Sequence, residues 1–464
     1  MTRHQVIIGL DAGTTAVKAV AFGLDGGRRY SVLRDYPQHE PVPGRHEQDP
    51  QRVLAASVEA LAECAAAVAD ADVVGVAVST AMHGLIALDD QMQPITPLLT
   101  WADARAHAEA RELHEAGVAH DLHRRTGAPV HPMTPLTKLR WFARHEPEVF
   151  ASARWWVGLK DYVLWGLTGT LATELSSAGG TGMLDMATRS WSAEALTVAD
   201  IDADRLPPIL STTAALTLAA EPARRAGLPP GTPVLVGAAD GPLGNLGTGA
   251  VIPGVVGVSL GTSGAVRMVV PEPRVDEAGS LFCYALTDDA WAVGGAISNG
   301  GLVVRWAASA LAPDVIARFP DRHPEVAVLD LADSVPPGAD GLVVLPYLVA
   351  ERAPLWDPDL PGAVLGLRIE HTRAHLIRAS VEGVCRQLRA ILDRVDALAP
   401  VTAARATGGA FRSRLWREVL AAMLERPLTV ADDAEGTALG AAALGLYALG
   451  VTSTPLAATQ MLAS

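Results

Sequence analysis

The sequence is poor in cysteine, and the three cysteines that it contains stand far apart. Cys64, Cys283 and Cys385 form no Cys-x-x-Cys motif, and their number is odd. A disulfide framework needs paired cysteines and a structural zinc site needs clustered thiolates, so neither is indicated. Isolated cysteines are typical of a reducing compartment, and we therefore expect a cytoplasmic protein.

Basic residues are also scarce relative to acidic ones. Lys and Arg total 37 against 51 Asp and Glu, which gives a formal net charge of −14. Such a surface repels phosphate polymers and anionic lipid, so we expect neither nucleic acid nor a membrane as a partner. An anionic small substrate would need a local group of positively charged side chains.

Long uninterrupted apolar runs are missing as well. The most apolar stretches, at 241–270 and 436–451, are interrupted by Gly, Thr and Ser. They predict buried strands and a tightly packed helix and do not resemble membrane spans. No signal peptide is visible before the first strand-like run at 6–10. The 464 residues are enough for two domains, each with its own core.

Predicted strands alternate with predicted helices, which indicates an α/β fold. An apolar hairpin spans 6–21, Asp49 and Pro50 open a helix, and 73–79 form a buried strand. Further helices are predicted near 103–116, 135–144, 160–166, 375–398 and 436–449, with another that opens near 413.

A weak internal repeat is the most informative feature. Residues 255–270 repeat the first hairpin's pattern of strand, Gly-Thr-Ser turn and strand, with Ser259 at the position of Asp11. A repeat at this long interval predicts two domains with similar cores. We place the domains at 1–246 and 247–464, with the boundary inside the Gly-rich segment 243–253.

Two matching Gly-Thr turns suit the phosphates of a nucleotide. Gly13 and Gly261 let the backbone approach closely, while the amides and the hydroxyls of Thr14, Thr15 and Thr262 supply donors. Each turn alone is equally an ordinary hairpin turn. Because the two stand in matching contexts, a phosphate site is favoured.

Two aspartates are candidates for the chemistry. Asp11 ends the first strand before the turn and could hold Mg²⁺ against the phosphates, or could merely cap the turn. Asp240 closes a predicted strand at 234–240 and could accept a hydroxyl proton, although Asp-Gly is also a common turn. Lys18 could reach a phosphate or be a solvated strand lysine.

Together these motifs resemble the FGGY carbohydrate kinases. The resemblance implies two ribonuclease H-like domains of the actin, hexokinase and Hsp70 superfamily with a cleft between them, and it runs from about residue 7 to residue 450. The motifs that carry it are DAGTT at 11–15, AMHG at 81–84, WADAR at 101–105, DG at 240–241, GTSG at 261–264, GGA at 408–410 and EGTALG at 435–440.

Within that family the chain is most similar to gluconate kinases. The similar segments are 100–105, 127–138, 240–247, 345–357 and 371–375. Met-His-Gly at 82–84 instead matches xylulose kinases. The resemblance implies transfer of the γ-phosphate of ATP to the 6-hydroxyl of D-gluconate, with xylulose or another polyol as the alternative substrate.

The resemblance also implies roles for individual residues. Asp240 matches the general base and, with Asp11, lies near the metal. The residues implied to contact the nucleotide are Thr14, Thr15, Thr262, Gly301, Arg305, Gly409 and Ser413, and those implied to contact the sugar are Met82, His83, Trp101, Asp103 and Arg105.

Several of these sugar-side residues have a structural alternative. Trp101 could cover a carbon chain or anchor a core, and His83 could be a buried histidine with satisfied hydrogen bonds. Asp103 and Arg105 could bind hydroxyls or pair with each other. For the carboxylate of gluconate, charge and position make Arg105, Lys138 and His131 the candidate cations.

An actin-like or Hsp70-like ATPase that exchanges protein partners is the alternative from another class. The duplicated phosphate turns fit it equally well. The segments 82–84 and 101–105 favour a small-molecule pocket in the first domain, and so favour the kinase. The sequence leaves the oligomeric state open, including a homodimer.

Overall fold

Two six-stranded sheets form the framework of the protein. The structure is a computed structural model that describes residues 4–318, 323–431 and 436–464. The strands of the first sheet are β1 (Gln5–Ala12), β2 (Ala16–Gly23), β3 (Arg28–Asp35), β4 (Asp72–Thr80), β5 (Ala215–Thr217) and β6 (Pro233–Leu235). Those of the second sheet are β7 (Val255–Leu260), β8 (Gly264–Val270), β9 (Phe282–Thr287), β10 (Ala290–Ile297), β11 (Ala403–Thr407) and β12 (Leu428–Val430).

Five strands of each sheet follow the same order. The first sheet contains β6-β4-β1-β2-β3, in which β6, β4 and β1 are parallel and β2 and β3 alternate in direction. The second contains β12-β11-β7-β8-β10 with the same directions. This shared topology is the structural form of the repeat that the sequence predicts, and it places the two Gly-Thr turns at equivalent positions.

Helices pack against these sheets. Helix Pro50–Ala67 lies on the first sheet and begins at Asp49, whose carboxylate accepts hydrogen bonds from two backbone amides of the first turn, as the Asp-Pro pair predicts. The other α-helices are His107–Glu115, Ala119–Thr126, Pro135–His145, Pro147–Ser152, Leu159–Thr168, Leu175–Gly180, Ala193–Ala199, Ala220–Ala226, Asp240–Gly247, Leu302–Leu311, Pro313–Arg318, Pro324–Asp333, Arg373–Leu398, Arg414–Leu424, Gly436–Ala448 and Pro455–Ala463.

Short elements complete the fold. Within the described ranges, 3₁₀ turns span Ala203–Arg205, Ala339–Gly341 and Gly409–Arg412. The two-stranded ladders pair Glu47–Gln48 with Leu98–Leu99, Ile86–Leu88 with Trp155–Val157, Thr173–Glu174 with Ile209–Leu210, Leu184–Asp185 with Ser190–Trp191, and Val343–Leu345 with Ala363–Leu365. Among the described residues no helix combines the length and the apolar character that crossing a membrane requires.

Helix Gly436–Ala448 joins the two halves of the molecule. It belongs to the second half but packs on β1, on β4 and on helix Asp240–Gly247. A Cβ atom on Gly440 would lie only 1.9 Å from the carbonyl oxygen of Leu243, so the two backbones touch where a side chain would separate them. The small residues of this helix, read from the sequence as a sign of tight packing, therefore serve the junction between the domains.

Asp240 does not end a strand, contrary to the prediction. Strand β6 stops at Leu235 because Gly237, two residues later, has a left-handed φ of +69°. A Cβ atom on Gly237 would lie 2.1 Å from the carbonyl oxygen of Val78, so the position requires glycine. Asp240 is instead the first residue of helix Asp240–Gly247. Part of the segment predicted as a Gly-rich boundary is therefore helical.

The helix predicted at 103–116 begins four residues late, at His107. The cause is the Asp103 carboxylate, which accepts hydrogen bonds from the amides of His46 at 3.0 Å and Arg105 at 3.2 Å. These bonds hold the residues before the helix in a turn.

Candidate active site

The first Gly-Thr turn is tied to several side chains. The amide of Gly13 donates to the Ala16 carbonyl at 3.0 Å and closes the turn between β1 and β2. The carbonyl of Thr14 accepts from the side-chain amide of Gln38 at 3.0 Å, and its hydroxyl accepts from the indole of Trp101 at 3.1 Å. Thr15, the third residue of the turn, is exposed.

The second turn is bound to the start of helix Leu302–Leu311. The amide of Gly301 donates to the Gly261 carbonyl at 2.8 Å, and the Arg305 guanidinium reaches the Thr262 hydroxyl at 3.5 Å. These four residues, all predicted to contact the nucleotide, are thus brought together. They lie at an exposed edge and do not line the larger cavity described next.

A cavity of about 800 Å³ lies between the two halves. Its walls are Asp11, Lys18, Asp240, Gly241, Gly244, Asn245 and Thr248 from the first half, with Gly257, Val258, Ser259, Arg267, Thr407, Gly408, Gly409, Phe411, Arg412, Arg417, Val430, Ala431 and residues 436–438 from the second. Of the residues predicted beside the adenosine, Gly409 lines this cavity. Ser413 instead stands before helix Arg414–Leu424 as its N-terminal cap residue. Glu435, from the motif at 435–440, lies outside the described residues.

A smaller cavity of about 190 Å³ adjoins it. Its lining from the first half is Thr14, Met82, His83, Trp101, Met133 and Asp240, and from the second half Ser259, Ser263, Gly264, Ala265, Arg267, Phe282, Tyr284, Ala296, Arg352 and Trp356. Residues of both Gly-Thr turns thus face one space. The pocket that the sequence assigned to the first domain is built by both domains.

Asp240, Ser259 and Arg267 line both cavities. One oxygen of the Asp240 carboxylate accepts a hydrogen bond from the Gly241 amide at 2.8 Å. Burial raises the pKa of Asp240, and the positive charge of Arg267 opposes this rise. The arrangement places a buried carboxylate between a large cavity and a small one, where it can exchange a proton with a group in either.

Asp11 is the second carboxylate of the larger cavity. Burial, and then the negative charge of Asp240, raise the pKa of Asp11 to about 6. Its Oδ1 atom is buried without a hydrogen-bond partner in the described structure. A buried oxygen of this kind can accept a cation or a water held by one.

His83 has an unusual backbone and an uncharged ring. Its φ is +63°, a left-handed conformation that is uncommon outside glycine, and its Nδ1 donates to the Gly180 carbonyl at 2.6 Å. Burial lowers the pKa of His83 to about 3, so the ring is neutral at physiological pH. With its Nδ1 donating, Nε2 of the neutral ring is an acceptor.

Asp103 and Arg105 follow the structural alternative. The Arg105 guanidinium donates to both Asp103 oxygens, at 2.8 and 2.9 Å, and also pairs with Glu47. Neither residue lines the smaller cavity. Asp103 and Arg105 form an ion pair with each other because the turn before helix His107–Glu115 brings their side chains together.

The other two candidate cations also lie behind the cavity wall. Lys138 is buried and donates from Nζ to the carbonyls of Thr100 at 2.7 Å and His83 at 3.0 Å. His131 is buried with its ring 5.9 Å from that of Trp356, and burial lowers its pKa to about 3. The cations predicted for a substrate carboxylate therefore support the lining and do not form it.

Two arginines that the sequence analysis did not single out form part of the lining instead. Arg267 lies on β8, two residues after Ala265, and the period of a strand puts both on the same face. The alternation of side chains along this strand could therefore have predicted that Arg267 faces the cavity. Arg352 lies in an irregular segment at 346–362, where no periodicity points to it.

Comparisons with known proteins identify the family of both halves of the chain. The N-terminal domain of the FGGY family of carbohydrate kinases matches residues 6–247, and the C-terminal domain of the same family matches 256–449. A gluconokinase from Bacillus licheniformis is 38% identical over 451 residues, 96% of this chain and 88% of that protein. A xylulose kinase from Bacillus subtilis is 29% identical, over 96% of this chain and 89% of that protein.

A solved structure gives the same result. The crystal structure of gluconate kinase from Lactobacillus acidophilus superposes with a TM-score of 0.92 at 32% identity, and the match covers 99% of this chain and 92% of that one. The α/β fold with two similar domains, predicted from the repeat, is thereby confirmed. The chain belongs to the FGGY family of carbohydrate kinases, enzymes that transfer a phosphoryl group to a carbohydrate hydroxyl.

Proposed function

We propose that the protein transfers the γ-phosphate of ATP to the 6-hydroxyl of D-gluconate. The observation that carries this proposal is the position of Asp240 between two adjoining cavities of unequal size. The larger has room for a nucleotide, and the smaller matches a short carbon chain. The similarity to gluconokinases supports a sugar acid as the substrate.

In this reaction Asp240 acts as the general base. It takes the proton of the terminal hydroxyl as the hydroxyl oxygen attacks the γ-phosphorus in line. A pKa raised by burial suits this task, because the carboxylate is then a stronger base than an exposed one. Trp101 and Met82 provide apolar surface for the carbon chain.

The phosphates lie in the larger cavity in this proposal. The two Gly-Thr turns meet the end of the phosphate chain from the smaller cavity, which is lined by Thr14 of the first turn and Ser263 of the second. Lys18 and Gly409 line the larger cavity and contribute a positive charge and close backbone access. Because both cavities are enclosed by residues of both halves, closure around the substrates excludes water and suppresses hydrolysis of ATP.

The two carboxylates of the larger cavity fit a magnesium ion. Asp11 offers an oxygen without a partner, and Asp240 lines the same space. Magnesium in kinases is held by one or two carboxylates together with phosphate oxygens and water, so no larger cluster of protein ligands is needed. When bound there it would neutralise charge on the phosphates. We place this reaction in the cytoplasm, in keeping with the three unpaired cysteines, all of them buried.

A coupled assay of ADP release tests the proposal. The purified protein is given MgATP with D-gluconate, D-xylulose or glycerol, and we expect gluconate to give the highest kcat/KM. A preference for xylulose would show that the protein is a ketose kinase, the alternative activity. ATP turnover without any sugar, stimulated by a protein partner, would instead support an ATPase of the actin or Hsp70 type.

The Asp240→Asn variant tests the base. It keeps the size of the side chain but removes the basic oxygen, so we expect kcat to fall by about 10³-fold or more while ATP still binds. Substantial turnover by this variant would contradict the assignment. Asp288→Asn, a change in the turn between β9 and β10 away from both cavities, is the matched control.

A further inference from the structure

We propose that Arg352, assisted by Arg267, binds the carboxylate of the substrate in the smaller cavity and so makes the enzyme selective for sugar acids. This inference rests on the proposed function and names the residues that recognise the anionic end of its substrate. It replaces the cations expected from the sequence, which lie behind the cavity wall.

The charges around the smaller cavity favour an anion. Two guanidinium groups, Arg267 and Arg352, face it together with the single carboxylate of Asp240. His83 adds no charge, because burial keeps its ring neutral. The lining is therefore positive in a chain whose formal net charge is −14. A neutral ketose would leave this excess charge uncompensated.

Arg352 is held in place by hydrogen bonds and makes no ion pair with any described residue. Its exposed fraction is 8%, its Nε donates to the Ser298 hydroxyl at 3.2 Å, and Nη2 donates to the Ile297 carbonyl at 2.8 Å. Its guanidinium lies 4.8 Å from the centre of the Trp101 ring. These contacts fix the plane of the group and, within the residues that the structure describes, leave the Nη1 donors free for a ligand.

The neighbouring acid, Glu351, makes no ion pair with Arg352 within the described structure, although its charge partly offsets that of the guanidinium. One Glu351 oxygen accepts from the amides of Ser298 and Arg352, and the other accepts from the side chains of Asn299 and Gln387. Across the described part of the chain, neither Arg352 nor Arg267 forms an ion pair with a carboxylate, and the charges of Glu351 and Asp240 act on them only from a greater distance. A buried charge without a partner is costly, and an anionic ligand offsets that cost.

The positions of the two arginines separate their tasks. Arg267 lines both cavities and stands beside Gly241, next to Asp240, so it is also near the phosphoryl group that moves. Arg352 lines only the smaller cavity and lies over Trp101. A substrate whose terminal hydroxyl meets Asp240 can extend its other end toward Arg352. A guanidinium with free donors can bind both oxygens of a carboxylate there.

A neutral analogue of the substrate provides the test. D-gluconamide has the carbon chain and hydroxyls of D-gluconate but an uncharged amide in place of the carboxylate. We compare kcat/KM for gluconate with kcat/KM for gluconamide in the wild type and in Arg352→Gln. We expect the wild-type preference for gluconate to fall by roughly 10- to 100-fold in the variant, as for a lost hydrogen bond to a charged group.

The ratio of the two substrates separates recognition from catalysis. If the arginines serve only the transferring phosphoryl group, Arg352→Gln and Arg267→Gln lower turnover of both substrates equally, and that result would overturn the inference. Arg352→Lys keeps the charge but loses the planar fork, so we expect it to restore part of the preference. Arg224→Gln, at an exposed position of helix Ala220–Ala226 outside both cavities, is the matched control.

Two outcomes keep this inference distinct from the proposed function. If the wild type does not phosphorylate gluconate, the proposed function fails first. If it does, but neither arginine variant changes the gluconate-to-gluconamide ratio, only the carboxylate assignment fails. Thermal unfolding of each variant identifies any that does not fold. If Arg352→Gln does not fold, binding of gluconate and gluconamide by the folded Arg267→Gln variant is the test, and an unchanged ratio of the two affinities would contradict the assignment.

Discussion

Trp101 donates a hydrogen bond from its indole Nε1 to the hydroxyl of Thr14, with 3.1 Å between the two atoms. Both residues line the smaller cavity, and the Arg352 guanidinium covers the indole. One side chain therefore contacts the turn assigned to the phosphates and the arginine assigned to the substrate carboxylate. A single indole therefore touches the groups proposed for both ends of the reaction, and we expect it to couple them.

Removing that bond tests the coupling. Trp101→Phe keeps an aromatic face for the carbon chain but cannot donate to Thr14, so the turn loses one of its anchors. We expect kcat/KM for gluconate to fall by about 10-fold, as for one lost hydrogen bond, with a larger effect on kcat than on stability. The measurement is steady-state kinetics with thermal unfolding, and Trp155→Phe, outside both cavities, should have kcat/KM close to wild type.

The sequence predicts the framework of this site better than its lining. The paired hairpins, the cap at Asp49 and the small-residue helix are local patterns, and local patterns survive folding unchanged. Asp11 and Asp240 were found because each stands beside a turn. Both line one cavity because β1 and β6 flank β4 in one sheet and run parallel, so that the residues that follow them lie at the same edge.

The misplaced residues depend on contacts that are distant in sequence. Arg105 was expected at the substrate because of its charge, but Glu47, more than fifty residues earlier, takes up its guanidinium. Arg352 faces the cavity because its segment packs against Ser298 and Ile297 at the end of β10. Neither arrangement leaves a periodic signal, since the partners come together only after both sheets have formed.

Lys160 links β4 to the segment that precedes Asp240, the proposed general base. Its buried Nζ donates to the carbonyls of Val78 at 2.6 Å, Val236 at 2.8 Å and Ala238 at 2.9 Å. Val78 lies on β4, whereas Val236 and Ala238 lie between the end of β6 and the start of helix Asp240–Gly247. Burial lowers the pKa of Lys160 to about 8, so the ammonium form with three donors predominates at neutral pH.

Lys160→Met leaves these three carbonyls without a donor. We expect the free energy of unfolding to fall by about 3–5 kcal/mol. We also expect a lower kcat with little change in KM for ATP, because the bond to Ala238 holds the segment that orients Asp240. Urea unfolding and steady-state kinetics measure the two effects. Leu159→Met, at the adjacent buried position of the same helix, should change stability by less than about 1.5 kcal/mol. Equal effects of the two changes would contradict the role of Lys160.

Gly440 tests the junction between the two halves. A Cβ atom there would lie 1.9 Å from the Leu243 carbonyl oxygen, so helices Gly436–Ala448 and Asp240–Gly247 must separate to accept alanine. We expect Gly440→Ala to lower the free energy of unfolding by about 3 kcal/mol or more. Gly244→Ala, where the nearest atom would be 3.9 Å away, should not destabilise the protein. Thermal unfolding of both variants measures the difference.

His123 makes stability depend on pH at the contact between the halves. Its Nε2 donates to the Leu281 carbonyl at 2.7 Å, and burial lowers its pKa to about 4. The charge of Asp276 opposes this shift, and that of His120 adds to it. Between pH 6.5 and 4 the unfolded chain therefore binds a proton at this position that the folded chain does not, and stability falls as the pH is lowered through this window.

His123→Gln keeps a side-chain donor but removes the titrating ring. We expect the loss of unfolding free energy between pH 7 and pH 5 to be smaller in the variant than in the wild type by about 1–2 kcal/mol. Urea unfolding at the two pH values measures this difference. Because the variant and the wild type share all other titrating groups, the contributions of those groups cancel in the comparison. The control is His39→Gln at an exposed position, which should leave the loss as it is in the wild type. If the two variants showed the same pH dependence, burial of His123 would not contribute to the acid sensitivity. Protonation of this buried ring would then destabilise the folded chain no more than protonation of the exposed ring of His39.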